Sequence, residues 1–290
     1  MTQIKIVLLM FLGISLWLPT IPTPALAVSS QLIIGGKRPA TAYLPAVPKP
    51  RAPLLISLHG YGSSATKQES YLKLADEANK RGFVYLVADG TKDSNGRQFW
   101  NAIPACCDFE KTKVDDVFYL TSLINEISKK YSVDRKQIFL LGHSNGGFMS
   151  YRMACDASSI IAGVVVIAGG MDLGGQGCKP KQPVSILHIH GSSDSVISLG
   201  GGSIAGAKYD SAKSVVNFWR NYDTCNAKGA ISKIDLERSL PGAETTVTKF
   251  ACTRGSKVEN WQINKGSHVP QFTHNFAKSI FDFLLKVRKA

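Results

Sequence analysis

Several short stretches of the chain are largely apolar at successive positions, with no regular alternation. Leu54–Leu58, Phe83–Ala88, Ile138–Leu141, Ile161–Ala168 and Ser185–His190 are of this kind. Runs this short read as strands, and strands apolar on both faces need cover on both sides, as in a parallel sheet between two helical layers. The segments between them carry helical spacing. Tyr71, Leu74, Ala75 and Ala78 share one face, with Gly82 placed to end that helix. Val117, Leu120, Ile124 and Ile127 share another, and Asp115 and Asp116 at its start read as caps that suit the helix dipole. Tyr209, Ala212, Val216 and Trp219 keep the spacing over 208–222, and Phe276, Ile280, Phe283, Leu284 and Val287 close the chain on an amphipathic helix. Thr246–Phe250 alternates, Arg254-Gly255 turns and Val258–Ile263 returns, which predicts a hairpin adding the last strand to the sheet. Thr41–Leu44 is a strand candidate in a proline-rich edge hairpin over 28–52. This alternation predicts an α/β fold with a mostly parallel central sheet and helices on both faces. No repeat or low-complexity linker divides 28–290, so we expect one domain there.

Candidate chemistry sits at the end of the third of these strands. Gly142-His143-Ser144-Asn145-Gly146 follows Ile138–Leu141 and leads into a helical segment at Gly147-Phe148-Met149. A serine hydroxyl is a poor nucleophile at neutral pH, and it needs exposure at a strand end, a neighbouring base and donors for an oxyanion. Glycines two positions to either side of the serine permit the sharp strand-to-helix turn that exposes it.

Partners for Ser144 should lie beyond the carboxyl ends of other strands. For an elbow of this kind the expected chain order is serine, acid, histidine. His190-Gly191-Ser192-Ser193-Asp194 puts Asp194 just beyond the fifth strand, and Gly266-Ser267-His268 puts His268 in the loop before the last helix. Asp172 and Asp210 are rival acids, in a glycine-rich loop and at a helix start. His274, in the opening turn of the last helix, is the rival base. His59 and His143 precede the acid in the chain, while His188 and His190 alternate on one side of the fifth strand as core residues or supports. The oxyanion donors are expected to be the Asn145 amide and, from the loop His59-Gly60-Tyr61-Gly62, the Tyr61 amide. Tyr61, Trp100 and His143 are the candidates to line the ester pocket.

The first residues change the expected location. Lys5, the apolar stretch Ile6–Leu18 and the small-residue site Ala25-Leu26-Ala27 read as a signal peptide over 1–27, hence export. The apolar stretch is shorter than the roughly 20 residues of a spanning helix, so no stable membrane association is expected after cleavage. Export places six cysteines in an oxidising compartment. We expect Cys225 to join Cys252, and Cys106 and Cys107 each to take one of Cys155 and Cys178. Without paired metal-ligand spacing, neither a metal nor another cofactor is expected. The formal charge of +13 comes from scattered Lys and Arg. It reads as a solvated basic surface suited to adsorption on acidic wall or polymer material, not as a nucleic-acid interface.

Leu58-His59-Gly60-Tyr61-Gly62, Gly142-His143-Ser144-Asn145-Gly146-Gly147, His188-Ile189-His190-Gly191 with Asp194, Trp100-Asn101 and Cys106-Cys107 together resemble a known group. The chain resembles the secreted polyhydroxybutyrate depolymerase-like esterases, which are similar to the feruloyl and acetylxylan esterases of carbohydrate esterase family one. The resemblance runs from about Ile33 to the C-terminus and includes Val114-Asp115-Asp116-Val117 and Trp219 ahead of Cys225. It implies an α/β-hydrolase fold and a serine esterase with Ser144 as nucleophile, Asp194 as acid and His268 as base. One departure stands out: members often carry Gly-His-x-Trp-Pro, whereas this chain has Ser267-His268-Val269-Pro270-Gln271. The pocket beside the base is therefore expected to differ. The resemblance implies hydroxyalkanoate esters or oligomers as the substrate, with feruloyl or acetyl groups on plant polysaccharide as the runner-up. A non-catalytic binding protein on a hydrolase fold is the alternative of another class.

Overall fold

The computed structural model describes residues 30–289 apart from Gln176. The expected signal segment, 1–27, lies outside the described residues. In chain order the first half contains β1 (Ser30–Ile34), β2 (Ala40–Leu44), β3 (Ala52–Leu58), α1 (Ala65–Leu72), α2 (Ala75–Arg81), β4 (Val84–Ala88), β5 (Thr91–Lys92), β6 (Gln98–Phe99), α3 (Asp116–Lys130) and β7 (Val133–His143). The second half contains α4 (Asn145–Asp156), β8 (Gly163–Ile167), β9 (Ser185–Gly191), β10 (Gly202–Ile204), β11 (Ala207–Tyr209), α5 (Ala212–Tyr222), β12 (Ala230–Ile234), β13 (Thr245–Ala251), β14 (Lys257–Ile263) and α6 (Asn275–Leu284).

Ten strands form one sheet in the order β1-β2-β4-β3-β7-β8-β9-β14-β13-β12. From β4 to β14 the neighbours are parallel, and antiparallel strands finish both edges. Side chains alternate across each parallel strand, which explains the unbroken apolar runs. Leu54, Ile56, Leu140, Val164 and Val166 face one core with Leu120, Phe148 and Trp219. Leu55, Phe139, Leu141, Val165 and Leu187 face the other with Leu72, Phe276 and Phe281. Each such side chain taken from water contributes roughly 1.5–3 kcal/mol. The carboxyl ends of β3, β7, β9 and β14 all open on one edge of the sheet, where four loops meet.

Helices α1, α3 and α5 start where the side chain of the N-cap residue caps them. Ser64 accepts from the Lys67 amide, Asp115 from Phe118 and Ser211 from Ser214. Where one helix was expected to end at Gly82, there are two. Lys73 takes a left-handed conformation, φ 51°, and the Glu69 carboxylate accepts from the Ala75 amide, so a side chain of α1 caps α2. The edge strand β12, largely exposed, has no apolar pattern that would announce it. Among the described residues, no helix is long and apolar enough to cross a membrane.

The cysteine pairing differs from expectation. Cys225–Cys252 forms as anticipated, but Cys106 joins Cys107, and Cys155 joins Cys178 with their Cα atoms 5.2 Å apart. The cause is the tightness of the 100–107 loop: the Ala102 and Ile103 amides donate to Cys106 O, and the Cys107 amide donates to Trp100 O. Both cysteines are thereby buried together in their own turn.

Candidate active site

Ser144 sits between β7 and α4 with φ 55° and ψ −119°, a conformation that costs a non-glycine residue energy and is held by its surroundings. Its amide donates to Ile167 O at the end of β8, and its carbonyl accepts from the Phe148 amide. The turn is so close to β3 that a Cβ at Gly146 would stand 2.1 Å from Leu58 O. No side chain fits there.

The loop after β3 passes over this turn: a Cβ at Gly60 would stand 3.3 Å from the Ser144 Cβ. Among the described residues, neither the Tyr61 nor the Asn145 N–H donates a hydrogen bond within the protein. The loop is braced from below. Gly90 N donates to His59 Nε2 at 2.9 Å, so His59 carries its proton on Nδ1 and donates to Gly60 O at 2.8 Å. Burial, the largest influence, pushes the His59 pKa down and keeps the ring neutral. The indole Nε1–H of Trp100 donates to His59 O at 3.0 Å, and Asn145 clasps the Trp100 backbone through Oδ1 at 2.7 Å and Nδ2 at 2.9 Å.

Asp194 and His268 meet beyond β9 and β14, with Asp194 Oδ2 2.8 Å from His268 Nδ1. The other carboxylate oxygen accepts from the Val196 and Ile197 amides, both at 2.8 Å. Burial pushes the Asp194 carboxyl up, but hydrogen bonding from His190, His268 and the Ile197 amide outweighs it and leaves the pKa well below the usual carboxylate range. His143, beside Ser144, reaches His268 O with Nε2 at 2.8 Å, and Tyr71 donates to Pro270 O at 3.0 Å. Burial lowers the His143 pKa to about 4, so this brace is neutral at pH 7. The structure therefore brings Ser144, Asp194, His268 and the 59–62 loop to one place at the strand ends. His274 lies at the start of α6, outside that contact set, and Asp172 and Asp210 accept from amides of the 173–175 stretch.

Three expectations change. Trp100 has no exposed surface and its N–H is used internally, so it underpins the loop and does not line a pocket. His143 is only 8% exposed, with its ring against Tyr71 and His268, and it too is a brace. Asp115 caps α3, but Asp116 does not. It is fully buried, pairs with Arg38 at 2.6 Å and accepts from the Asn101 amide at 2.7 Å, holding the loop that carries Trp100. Tyr61 remains partly exposed at the mouth, its hydroxyl on Asp93 Oδ2 at 2.7 Å and its ring edge-on to Phe109. Tyr71 escaped sequence reading, since its helical spacing marks it as core; only its hydroxyl hints at a second task.

The sequence profile of the phospholipase/carboxylesterase family matches residues 44–223. The chain is 31% identical over 225 residues to feruloyl esterase B of Piromyces equi, covering 75% of this chain and 39% of that protein. It is 26% identical over 250 residues to a bifunctional acetylxylan esterase/xylanase of Neocallimastix patriciarum, covering 86% of this chain and 33% of that protein. The chain thus spans well under half the length of these two relatives. Among solved structures, an acetyl xylan esterase from Aspergillus awamori superposes with a TM-score of 0.60 at 12% identity, covering 89% of this chain and 98% of that one. A Bacillus cereus carboxylesterase superposes with a TM-score of 0.56 at 17% identity, covering 87% and 95%. At these identities the structural likeness speaks to the fold, which is that of the α/β-hydrolases.

Proposed function

Because the chain belongs to the phospholipase/carboxylesterase family of α/β-hydrolases, we propose that it is an exported serine esterase acting on acyl groups carried by plant polysaccharide, feruloyl or acetyl. In this reading His268 takes the Ser144 proton and the alkoxide attacks the ester carbonyl. The Tyr61 and Asn145 amides hold the oxyanion, and water then releases the acid from the acyl-enzyme. Asp194 orients His268 and stabilises its charged form. The observation that carries the reading is the 2.8 Å contact between Asp194 and His268 at the strand edge that exposes Ser144. Each oxyanion donor is worth about 100- to 1,000-fold in kcat in sites of this kind.

The activities named for the two relatives, feruloyl esterase and acetylxylan esterase, favour feruloyl and acetyl esters. Hydroxyalkanoate oligomers are the second reading, favoured by the motif resemblance around His59–Gly62 and Cys106-Cys107. The rim suits a substituent on a large chain: Phe109 is 43% exposed beside Tyr61, and Val269 is 51% exposed beside His268. Export is supported by three disulfides and by the signal-like start of the sequence. The test is hydrolysis of methyl ferulate, acetylated xylan and hydroxybutyrate oligomers by purified protein. The reading expects turnover of one of the first two, abolished by Ser144→Ala, and activity confined to hydroxybutyrate oligomers would overturn the substrate assignment. Full activity of Ser144→Ala would overturn the mechanism.

A further inference from the structure

Behind Asp194 lies a line of buried polar groups that the reaction above does not use. Tyr151 projects from α4, its hydroxyl 2.8 Å from His188 Nδ1. His188 Nε2 is 3.1 Å from His190 Nδ1, and His190 Nε2 is 2.8 Å from Ile197 O. Asp194 Oδ2 lies 3.2 Å from the same His190 nitrogen, as its second and less aligned acceptor. All three side chains are essentially inaccessible to solvent. An unbroken contact path thus runs from the middle of α4, the helix that follows Ser144, to the carboxylate that touches His268.

Proton positions along the path follow from the partners. A carbonyl only accepts, so His190 Nε2 carries a hydrogen directed at Ile197 O. With His190 Nδ1 as the acceptor of the 3.1 Å contact between the rings, His188 is the donor at Nε2. His188 Nδ1 must accept, and Tyr151 must donate. Each ring nitrogen on the path then has a partner, and the tautomer of each ring is set by the next. Burial, reinforced by the neighbouring His190, pushes the His188 pKa well below its ordinary value and keeps that ring neutral.

We propose that His190 is a positioning residue for the acid loop, tying Ile197 O to β9 and presenting an N–H edge to Asp194, with His188 and Tyr151 locking the tautomer that allows it. The inference rests on the esterase reading above. The loop is anchored before Asp194 by the Ser192 and Ser193 amides, which donate to Ile263 O and Gly266 O, and after Ile197 by the Ser198 amide, which donates to the Tyr209 hydroxyl. Between these anchors Val196 is 60% exposed, and His190 is the side chain that reaches Ile197 O. In the opposite tautomer the bare Nε2 of His190 would face both Ile197 O and the carboxylate, repelling each and loosening Asp194 from His268 Nδ1. The titratable groups facing His190 are His188 on the same strand, Asp194 in the following loop and His143 from β7, and His268 meets the same Asp194 oxygen. The Tyr151 hydroxyl, although it contacts no reacting atom, therefore helps to set the rate.

The experiment is a double-mutant cycle between Tyr151→Phe and His190→Gln, reading kcat, KM and the pH profile on a nitrophenyl acetate ester, with ¹⁵N imidazole shifts recorded for the same proteins. Glutamine can donate to Ile197 O but has no tautomer to lock. Tyr151→Phe alone is expected to lower kcat about fivefold to tenfold with KM changed less than about twofold, and to shift the acid limb of the profile. In the His190→Gln background the same change is expected to do nothing further to kcat. In the wild type the ¹⁵N shifts are expected to report the Nε2–H form of His190, with Nδ1–H appearing in Tyr151→Phe. A lowered melting temperature with unchanged kcat, pH profile and ring shifts in Tyr151→Phe would overturn the proposal, and so would equal losses of kcat in both backgrounds. The ring shifts are read whether or not an ester is turned over. An inactive wild type with the predicted tautomers would therefore count against the esterase reading and leave the histidine lock standing.

Discussion

Asp194 and Asp223 are both buried carboxylates, and they stand at opposite ends of what a fold can do to an acid. Asp194 Oδ1 accepts from two backbone amides, and its Oδ2 faces two imidazoles; its pKa falls well below the ordinary range although burial pushes it up. Neither oxygen of Asp223, at the end of α5, has a well-aligned hydrogen-bond partner among the described residues. Burial raises its pKa to about 6, eased by Ser256, Arg254 and Lys289. The difference is one of donors, since both groups are out of solvent. Asp116 stands between them: Arg38 and the Asn101 amide each reach it, yet burial still wins and its pKa is raised. The acid with the lowered pKa is thus found beside His268, where the proposed mechanism calls for charge at the histidine, and the acids with raised pKa values lie elsewhere in the scaffold.

The largest effect should come from breaking the first member of the pair. Asp194→Asn keeps the shape but presents an amide to His268, and kcat is expected to fall by about 10⁴-fold with little change in KM, as for other acids that hold a catalytic histidine. Steady-state kinetics on a short-chain nitrophenyl ester check this.

Next comes Arg38→Ala, which leaves Asp116 buried with only an amide. It is expected to destabilise the fold by about 2–3 kcal/mol at pH 7 in urea titration, reduced from a fully buried pair because Arg38 is partly exposed. The loss should shrink at low pH, where Asp116 is protonated.

Asp223→Asn should act with the opposite sign. A carboxyl whose folded pKa is about 6 against an ordinary 3.8 contributes stability below the lower value and loses it as pH rises through the upper one. The asparagine variant is therefore expected to stay close to the wild type near pH 4 and to gain about 2–3 kcal/mol on it by pH 7, with activity unchanged. Urea midpoints at the two pH values measure the gain. Equal behaviour at both would erase the contrast with Asp194.

Much of this architecture was legible in the sequence because it rests on local pattern. Unbroken apolar runs located β3, β4, β7, β8 and β9, and the order in which strand ends follow one another singled out the positions of Ser144, Asp194 and His268. What escaped depends on contacts between distant residues. The break at Lys73 arises because Glu69 caps the next helix, which spacing alone does not reveal. Asp116 sits beside a true cap and differs from it through Arg38 and the Asn101 amide, neither of them its neighbour in the chain. Trp100 has the sequence position of a pocket aromatic, yet its indole N–H is spent on His59 O. Cys106 and Cys107 pair with each other because of a tight turn whose hydrogen bonds no spacing rule encodes. His188 and His190 were visible as a pair on one face of a strand, but their partner Tyr151 lies on a different element.

The central claim is that Ser144 is a nucleophile activated by His268 and Asp194. The most direct measurement is labelling of the folded protein with a fluorophosphonate probe, followed by peptide mapping of the adduct. The account predicts one adduct, on Ser144, absent in Ser144→Ala and formed at least about 1,000-fold more slowly in His268→Ala. An adduct on another residue, or an unlabelled folded wild type, would contradict it.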